Sequence, residues 1–394
     1  MITFDEAAAL ISGITASLGT ETVQLTEARG RVLAAPVHAD RPSPATDVSA
    51  MDGYAVREGD LAALPESLPV AGEAFAGTPY GGGLPDRACL RIFTGAPLPD
   101  GADRVVIQEE VRREGGFAHF NLSLSKRRHV RAAGSDFQAG DLLLPAGVRL
   151  NAQRLVAAAA ANLDAVEVCR RPRVAILATG DELAAPGSPP AAGTIPESVS
   201  FGVAALAEEW GATVVSRRRC GDSLPLLRRA AEAAVNEADV VVVTGGASVG
   251  EKDFAREMFA PLGLELLFSK VAIKPGKPVW LGRAGATFIV GLPGNPTSAM
   301  VTARLFLAPL LERLSGGEAG AAWSWRTLPL VHPMGAEGDR ETFHRAAVDR
   351  CGAALAVDQD SSAQRALAGS NLLIRRRPRT PAARVGDLVE VLDF

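Results

Sequence analysis

Five stretches combine glycines, carboxylates and lysines at spacings suited to holding anions. They are "ATGDEL" with Thr179, Gly180, Asp181 and Glu182; "CGDS" with Asp222; and "VVVVTGGASVGEKDF" with Gly245, Gly246, Ser248 and Asp253. "KVAIKPGKP" carries Lys270, Lys274, Lys277 and Pro278, and "GLPGNPTS" carries Gly294 and Asn295. Glycine admits positive φ and lets a ligand approach bare amides. Glycine turns that open onto helix N-termini suit phosphates and other oxyanions. Lysines supply point charges, and carboxylates hold Mg²⁺ against phosphate oxygens. Each piece also has a plain structural use. Asp222 precedes "SLPLLRRAAEAAV" as an N-cap, Ser248 with Glu251 fits a capping box, and Asn295-Pro296 is an ordinary helix start. Lys274-Pro-Gly-Lys277 fits an exposed turn. What those uses leave unexplained is their recurrence at consecutive strand ends.

The elements that position these residues follow from pattern. From Arg173 the chain alternates between strands (RVAILAT, ATVVSRR, DVVVVTGG, VAI, TFIVGLP) and helices (198–210, 222–237, a short one near 251–260, 296–314). That alternation predicts βαβ units and a mostly parallel sheet, with right-handed crossovers placing the strand ends on one rim. Ligands bind at that rim in open α/β sheets. Before it, residues 3–19 read as a helix with Thr3 as N-cap and Glu6 closing a capping box. Residues 22–150 are short apolar runs broken by turns, a β-rich region, followed by a helix over 152–162. Residues 315–324 read as a linker, and 325–394 as short strands and turns.

Bulk properties exclude several classes. A chain of 394 residues, 47% hydrophobic and 22% charged, is an ordinary globular protein of two or three domains. Its net charge of −4 favours neither nucleic acid nor an anionic membrane. The basic runs at 126–131, 217–219 and 375–379 read as solvated faces. Four cysteines without a CxxC pair oppose a zinc or disulfide framework and fit a reducing, cytoplasmic setting. The acidic N-terminus lacks a signal peptide's basic flank, and "LVAAAAANL" is too short to span a bilayer.

Longer motifs carry a resemblance. "SAMDGYAV", "TGAPLPDGADRVVIQEE", "RVAILATGDEL", "VVTGGASVGEKDF", "KVAIKPGKPVWLG", "GLPGNPTSAMVT" and the terminal "VGDLVEVL" occur in order along essentially the whole chain. In these the sequence resembles the molybdopterin molybdenumtransferase family, which includes bacterial MoeA and the gephyrin E domain. The resemblance implies a multidomain α/β plus β fold: a molybdopterin-binding α/β domain (171–316) and a C-terminal β-barrel (325–394). The N-terminal helix and two intertwined β-rich subdomains would occupy 1–170. It implies an enzyme that takes adenylylated molybdopterin and molybdate with Mg²⁺ or another divalent cation, and releases AMP and molybdenum cofactor. It further implies a homodimer whose site is shared between protomers, with other proteins of the same biosynthesis as possible partners. Asp52 and Thr94 would face the partner's cleft, and Asp136 matches an acid of the family's arginine-rich segment. Asp181, Glu182, Asp222, Ser248, Asp253, Lys274 and Lys277 are pterin, nucleotide, metal and molybdate candidates, with Asp222 and Asp253 for the metal. Arg345 and Ser362 fall where the family places an arginine and a serine for molybdate. The family's "GQIYDSN" appears here as "GTIPESVS", with Glu197 for the aspartate and Val199 for the asparagine. That departure leaves as an alternative a non-catalytic dimeric scaffold that binds molybdopterin or a protein partner; a molybdopterin adenylyltransferase, whose related α/β fold also uses a TGG loop, follows less readily.

Overall fold

The computed structural model describes residues 1–15, 18–245, 254–350, 352–355 and 358–394. Its centre is a six-stranded sheet in the order Thr213–Cys220, Arg173–Thr179, Val240–Thr244, Thr287–Leu292, Trp280–Ala284 and Glu265–Ser269. The first four strands are parallel, and Trp280–Ala284 runs antiparallel to both its neighbours. Alternate residues of the central strands face opposite cores, as the two-residue period requires. Val174, Ile176, Val240 and Val242 join one cluster, whereas Ala175, Leu177, Val241 and Val243 join the other. Helices Val199–Glu209 and Pro296–Thr302 contribute to the first cluster, and Leu224–Glu237 to the second. Covering on both faces is why these strands read as continuous apolar runs.

The helical segment from Pro296 continues to Leu314 through a π-helical turn at Ala303–Leu307. Pro309 has no N–H to donate to the Leu305 carbonyl four residues back. The Trp323 indole takes that acceptor at 2.9 Å. Residues 315–324 are therefore no free linker: Ala319–Trp323 forms a 3-10 turn with Ala319 and Ala322 buried.

The first helix is Phe4–Ser12, shorter than the span 3–19, with the Thr3–Glu6 capping box present. Its apolar face enters the first core of the α/β unit, where Phe4 packs against Phe306, Trp323, Trp325 and Phe343. The chain then builds two nested β-rich units. Thr20–Gln24 pairs with Ala165–Cys169, and Val37–His38 with Leu142–Leu144, around a core shared with helix Ala152–Ala160. Between these outer segments, residues 53–120 form a six-stranded sheet with its own cores.

At the C-terminus, strands Arg326–Pro329, Leu388–Asp393, Leu372–Arg376, Glu341–Asp349 and Gly352–Leu355 pair in sequence. A bridge between Leu330 and Ala353 joins the two ends, closing a small barrel over Leu330, Met334, Leu372, Ile374 and Val391. The segment read as a strand "VAI" of the α/β sheet belongs here instead. Ile273–Lys274 runs parallel to Glu341–Thr342 and adds to the barrel's sheet. The strands Glu265–Ser269 and Trp280–Ala284, which actually extend the α/β sheet, flank it in sequence.

Candidate functional site

The ends of Arg173–Thr179, Val240–Thr244 and Thr287–Leu292 meet at one rim, as expected for parallel strands. Thr179 is buried there, its hydroxyl 3.3 Å from the Thr244 carbonyl. Gly245 follows at φ +89°, and a Cβ on it would lie 2.3 Å from the Thr179 carbonyl oxygen. Gly294 packs alongside, so bare backbone from two turns forms the floor. Gly180 adopts φ +149° with the Glu182 carboxylate folded beside it. Thr179, Glu182, Gly245 and Gly294, with Asn295, Pro296, Glu197, Ser198, Val199 and Ser362, line a cleft of about 460 Å³.

At the cleft's edge, Asp181 Oδ1 accepts the Asp222 N–H at 2.9 Å. Asp222 is not the N-cap of Leu224–Glu237: Ser223 occupies that position, without a side-chain bond. The Asp222 carboxylate is thus not spent on capping. Among the described residues no group of three or more His, Cys, Asp or Glu forms a metal-holding cluster. A pair of carboxylates still fits Mg²⁺, which keeps several waters and takes one or two carboxylates plus substrate phosphate oxygens. Gly246, Ser248, Glu251 and Asp253 lie outside the described residues.

A second hollow, of about 430 Å³, opens between the α/β unit and the barrel. Lys274, Lys277 and Pro278 line it with Ser298, Arg340, Thr342, His344, Asp360 and Ser361. The cleft and this hollow meet along the 358–362 loop. Asn295 Nδ2 donates to Ser361 Oγ at 2.9 Å, and the Thr297 N–H to the Ser361 carbonyl at 3.2 Å. Behind the loop, Arg345 is 1% exposed and donates to the carbonyls of Asp360 and Asp358 at 3.0 and 2.9 Å. Burial lowers the Arg345 pKa, against the pull of Asp358 and Asp360. Of these neighbouring pairs, Arg340 and Ser361 therefore line the hollow, and Arg345 and Ser362 do not. Arg345 supports the loop from beneath, and Ser362 faces the cleft. Sequence reasoning missed Arg340 and Ser361; the available signal was that Arg340 and Arg345 are both in "RETFHR" and Ser361 and Ser362 are adjacent.

The remaining candidates lie elsewhere. Asp52 accepts both the Thr94 N–H and hydroxyl at 2.8 Å. Those two bonds hold its carboxyl below the usual range. The pair, on the N-terminal β-rich sheet, lines neither the cleft nor the hollow. Neither does the exposed Asp136, whose N–H donates to the Ser43 carbonyl. Lys270 is exposed at φ +63°, its N–H bonded to the Val279 carbonyl.

The altered segment has a local logic. Glu197 is buried and receives the Ser200 N–H at 2.8 Å and hydroxyl at 2.5 Å, bracing the start of Val199–Glu209. Val199 is 9% exposed and sits between the cleft and an apolar groove walled by Gly202, Leu206, Met300, Leu367 and Phe394. An apolar side chain suits that wall.

Comparison with known proteins agrees with this division. Three family models match: the MoeA N-terminal region (domain I and II) over residues 2–162, a probable molybdopterin binding domain over 175–313, and the MoeA C-terminal region (domain IV) over 327–394. Fold and site thus define a three-part protein built around a molybdopterin-binding type of α/β domain. The chain is 36% identical over 341 residues to the molybdopterin molybdenumtransferase of Nostoc sp., covering 85% of this chain and 78% of that one. It is 36% identical over 318 residues to the enzyme of that name from Haemophilus influenzae, covering 80% and 78%. The crystal structure of a molybdopterin biosynthesis MoeA protein from Pyrococcus horikoshii superposes with TM-score 0.83 at 28% identity, over 100% of this chain and 99% of that one. The chain belongs to the molybdopterin molybdenumtransferase (MoeA) family.

Proposed function

We propose that this chain is the transferase of molybdenum cofactor biosynthesis that inserts molybdenum into molybdopterin, using the cleft and the hollow as paired anion sites. The observation carrying this reading is their shared wall. A glycine-floored cleft suited to a phosphate-bearing ligand adjoins a hollow lined by Lys274, Lys277 and Arg340, suited to a small oxyanion. Two anions repel in water, and fixed lysines, guanidinium and amide dipoles offset that repulsion without reorganising. The chemistry asks little of the protein as a nucleophile. Molybdate occupies the hollow, with Arg340 and Ser361 beside the two lysines, while adenylylated molybdopterin lies along the cleft. Asp222 and Asp253 would hold Mg²⁺, which when bound would supply polarisation of the pyrophosphate that assists release of AMP.

The site is completed in a homodimer: Asp52 and Thr94, locked together at the surface of one protomer, reach the partner's cleft. Retention of Asp52, Asp222, Lys274 and Lys277 supports an active enzyme over a scaffold, and the N-terminal half supports it over an adenylyltransferase. The test is AMP release from adenylylated molybdopterin, with and without molybdate and Mg²⁺. Release that needs both, and falls at least tenfold in Lys277→Gln, is expected. Release indifferent to molybdate would remove the paired-anion reading.

A further inference from the structure

The molybdate hollow contains one group whose charge is not fixed. Lys274, Lys277 and Arg340 line it as basic side chains. His344 lines the same hollow, on strand Glu341–Asp349, and is only 18% exposed. Its Nε2 lies 2.6 Å from Glu337 Oε1, and the Thr342 hydroxyl donates to Glu337 Oε2 at 2.7 Å. A carboxylate at Nε2 fixes the hydrogen on that nitrogen and leaves Nδ1 to gain or lose a proton.

We propose that His344 is a fourth cation of the oxyanion hollow, recruited by its ligand: it takes a proton at Nδ1 when a tetrahedral dianion binds, with Glu337 as its positioning residue. The inference rests on the assignment of molybdate to this hollow. No covalent bond changes; solvent or buffer supplies the proton.

The electrostatics favour this order of events. Burial draws the His344 pKa below its ordinary value, and Arg376 and Lys274 act the same way against the opposing pull of Glu337. Without a bound dianion these effects favour the neutral imidazole. A dianion adds two negative charges and favours the imidazolium. The charged groups facing His344 from its surroundings are Glu337, Lys274 and Arg376, with Lys277, Arg340 and Asp360 around the hollow. Burial alone would raise Glu337, but its bonds from Thr342 and His344 prevail and hold it low. Bonds from Ser362 hold Asp360 low. With both carboxylates held low, the imidazole is the group here that an added dianion can protonate near neutral pH. A histidine here gives the site more positive charge for a dianion than for a monoanion.

The test is calorimetric titration of the full chain with molybdate at several pH values around neutrality, each in two buffers of different ionisation enthalpy. The account predicts uptake approaching one proton at intermediate pH and an affinity falling with rising pH, by up to about tenfold per unit. His344→Gln keeps a donor for Glu337 and should bind with pH-independent affinity near the wild-type value at high pH. Glu337→Gln removes the charge that supports the imidazolium, so its steep region should move to lower pH, an effect that a purely structural role would not produce. Wild-type binding without proton uptake, or an unchanged slope in His344→Gln, would overturn the inference. No molybdate binding at any pH would instead remove the assignment of the hollow, and this inference with it.

Discussion

Replacing Gly245 with alanine tests whether the cleft floor is as tightly built as the backbone requires. The new methyl would lie 2.3 Å from the Thr179 carbonyl oxygen and 3.0 Å from its hydroxyl. Cβ atoms do not approach other heavy atoms closer than 3.0 Å, so the backbones must separate by at least about 0.7 Å. They have little freedom to do so, because Thr244 is paired to Ala178 on one side and Leu292 on the other. At φ +89° a side chain itself costs about 1–2 kcal/mol, and overpacking adds roughly 1–3 kcal/mol. A loss near 3 kcal/mol lowers the melting temperature of a unit this size by about 6–12 °C. Gly294→Ala is the control: its Cβ would rest 3.5 Å from Gly245 Cα, an ordinary contact. That variant should melt within about 2 °C of wild type, within the usual range for a benign substitution, yet raise KM for the nucleotide substrate by narrowing the cleft. Both are read by thermal melts and steady-state turnover. Gly245→Ala melting with wild type would refute the packing argument.

Three further outcomes follow from the same geometry. Trp323→Phe leaves the Leu305 carbonyl without its indole donor, which should lower stability by about 1–3 kcal/mol in denaturant unfolding; an unchanged midpoint would mean another donor replaces it. Asp222→Asn should reduce metal-dependent AMP release roughly tenfold, about 1.4 kcal/mol of barrier, with raised Mg²⁺ restoring part of it and no change in melting. The Cys89 thiol is pushed up to about 12 by burial, so in the native protein at pH 8 it should resist alkylation and react only on unfolding; rapid labelling would show that its sheet opens.

The sequence was most legible where burial is symmetrical. "RVAILAT" and "DVVVVT" announce strands covered on both faces, and glycines at their ends mark turns a side chain would obstruct. Thr3 and Glu6 announce a helix start through a bond three residues long. Partners set by distant chain were not legible. "VAI" and "ELLFS" look alike as short apolar runs, yet Ile273–Lys274 pairs with Glu341–Thr342, and Glu265–Ser269 with Trp280–Ala284. The stretch 315–324 resembles a linker until Trp323 meets the carbonyl that Pro309 leaves free. Asp222 reads as an N-cap because Asp and Ser are equivalent in that pattern, and only the backbone shows Ser223 taking the position. The same limit separated Arg340 from Arg345: both stand on one short motif, and which guanidinium lines the hollow depends on a barrel strand's orientation against the α/β unit.

Molybdenum transfer itself is read by measuring molybdenum bound to the pterin product after one turnover. Purified protein, adenylylated molybdopterin, Mg²⁺ and molybdate are incubated, the pterin is separated, and its metal content is measured. The account predicts molybdenum on the pterin in step with AMP released, and at least tenfold less of both with Lys274→Gln or Lys277→Gln in the same time. AMP released while the pterin stays free of molybdenum would contradict it.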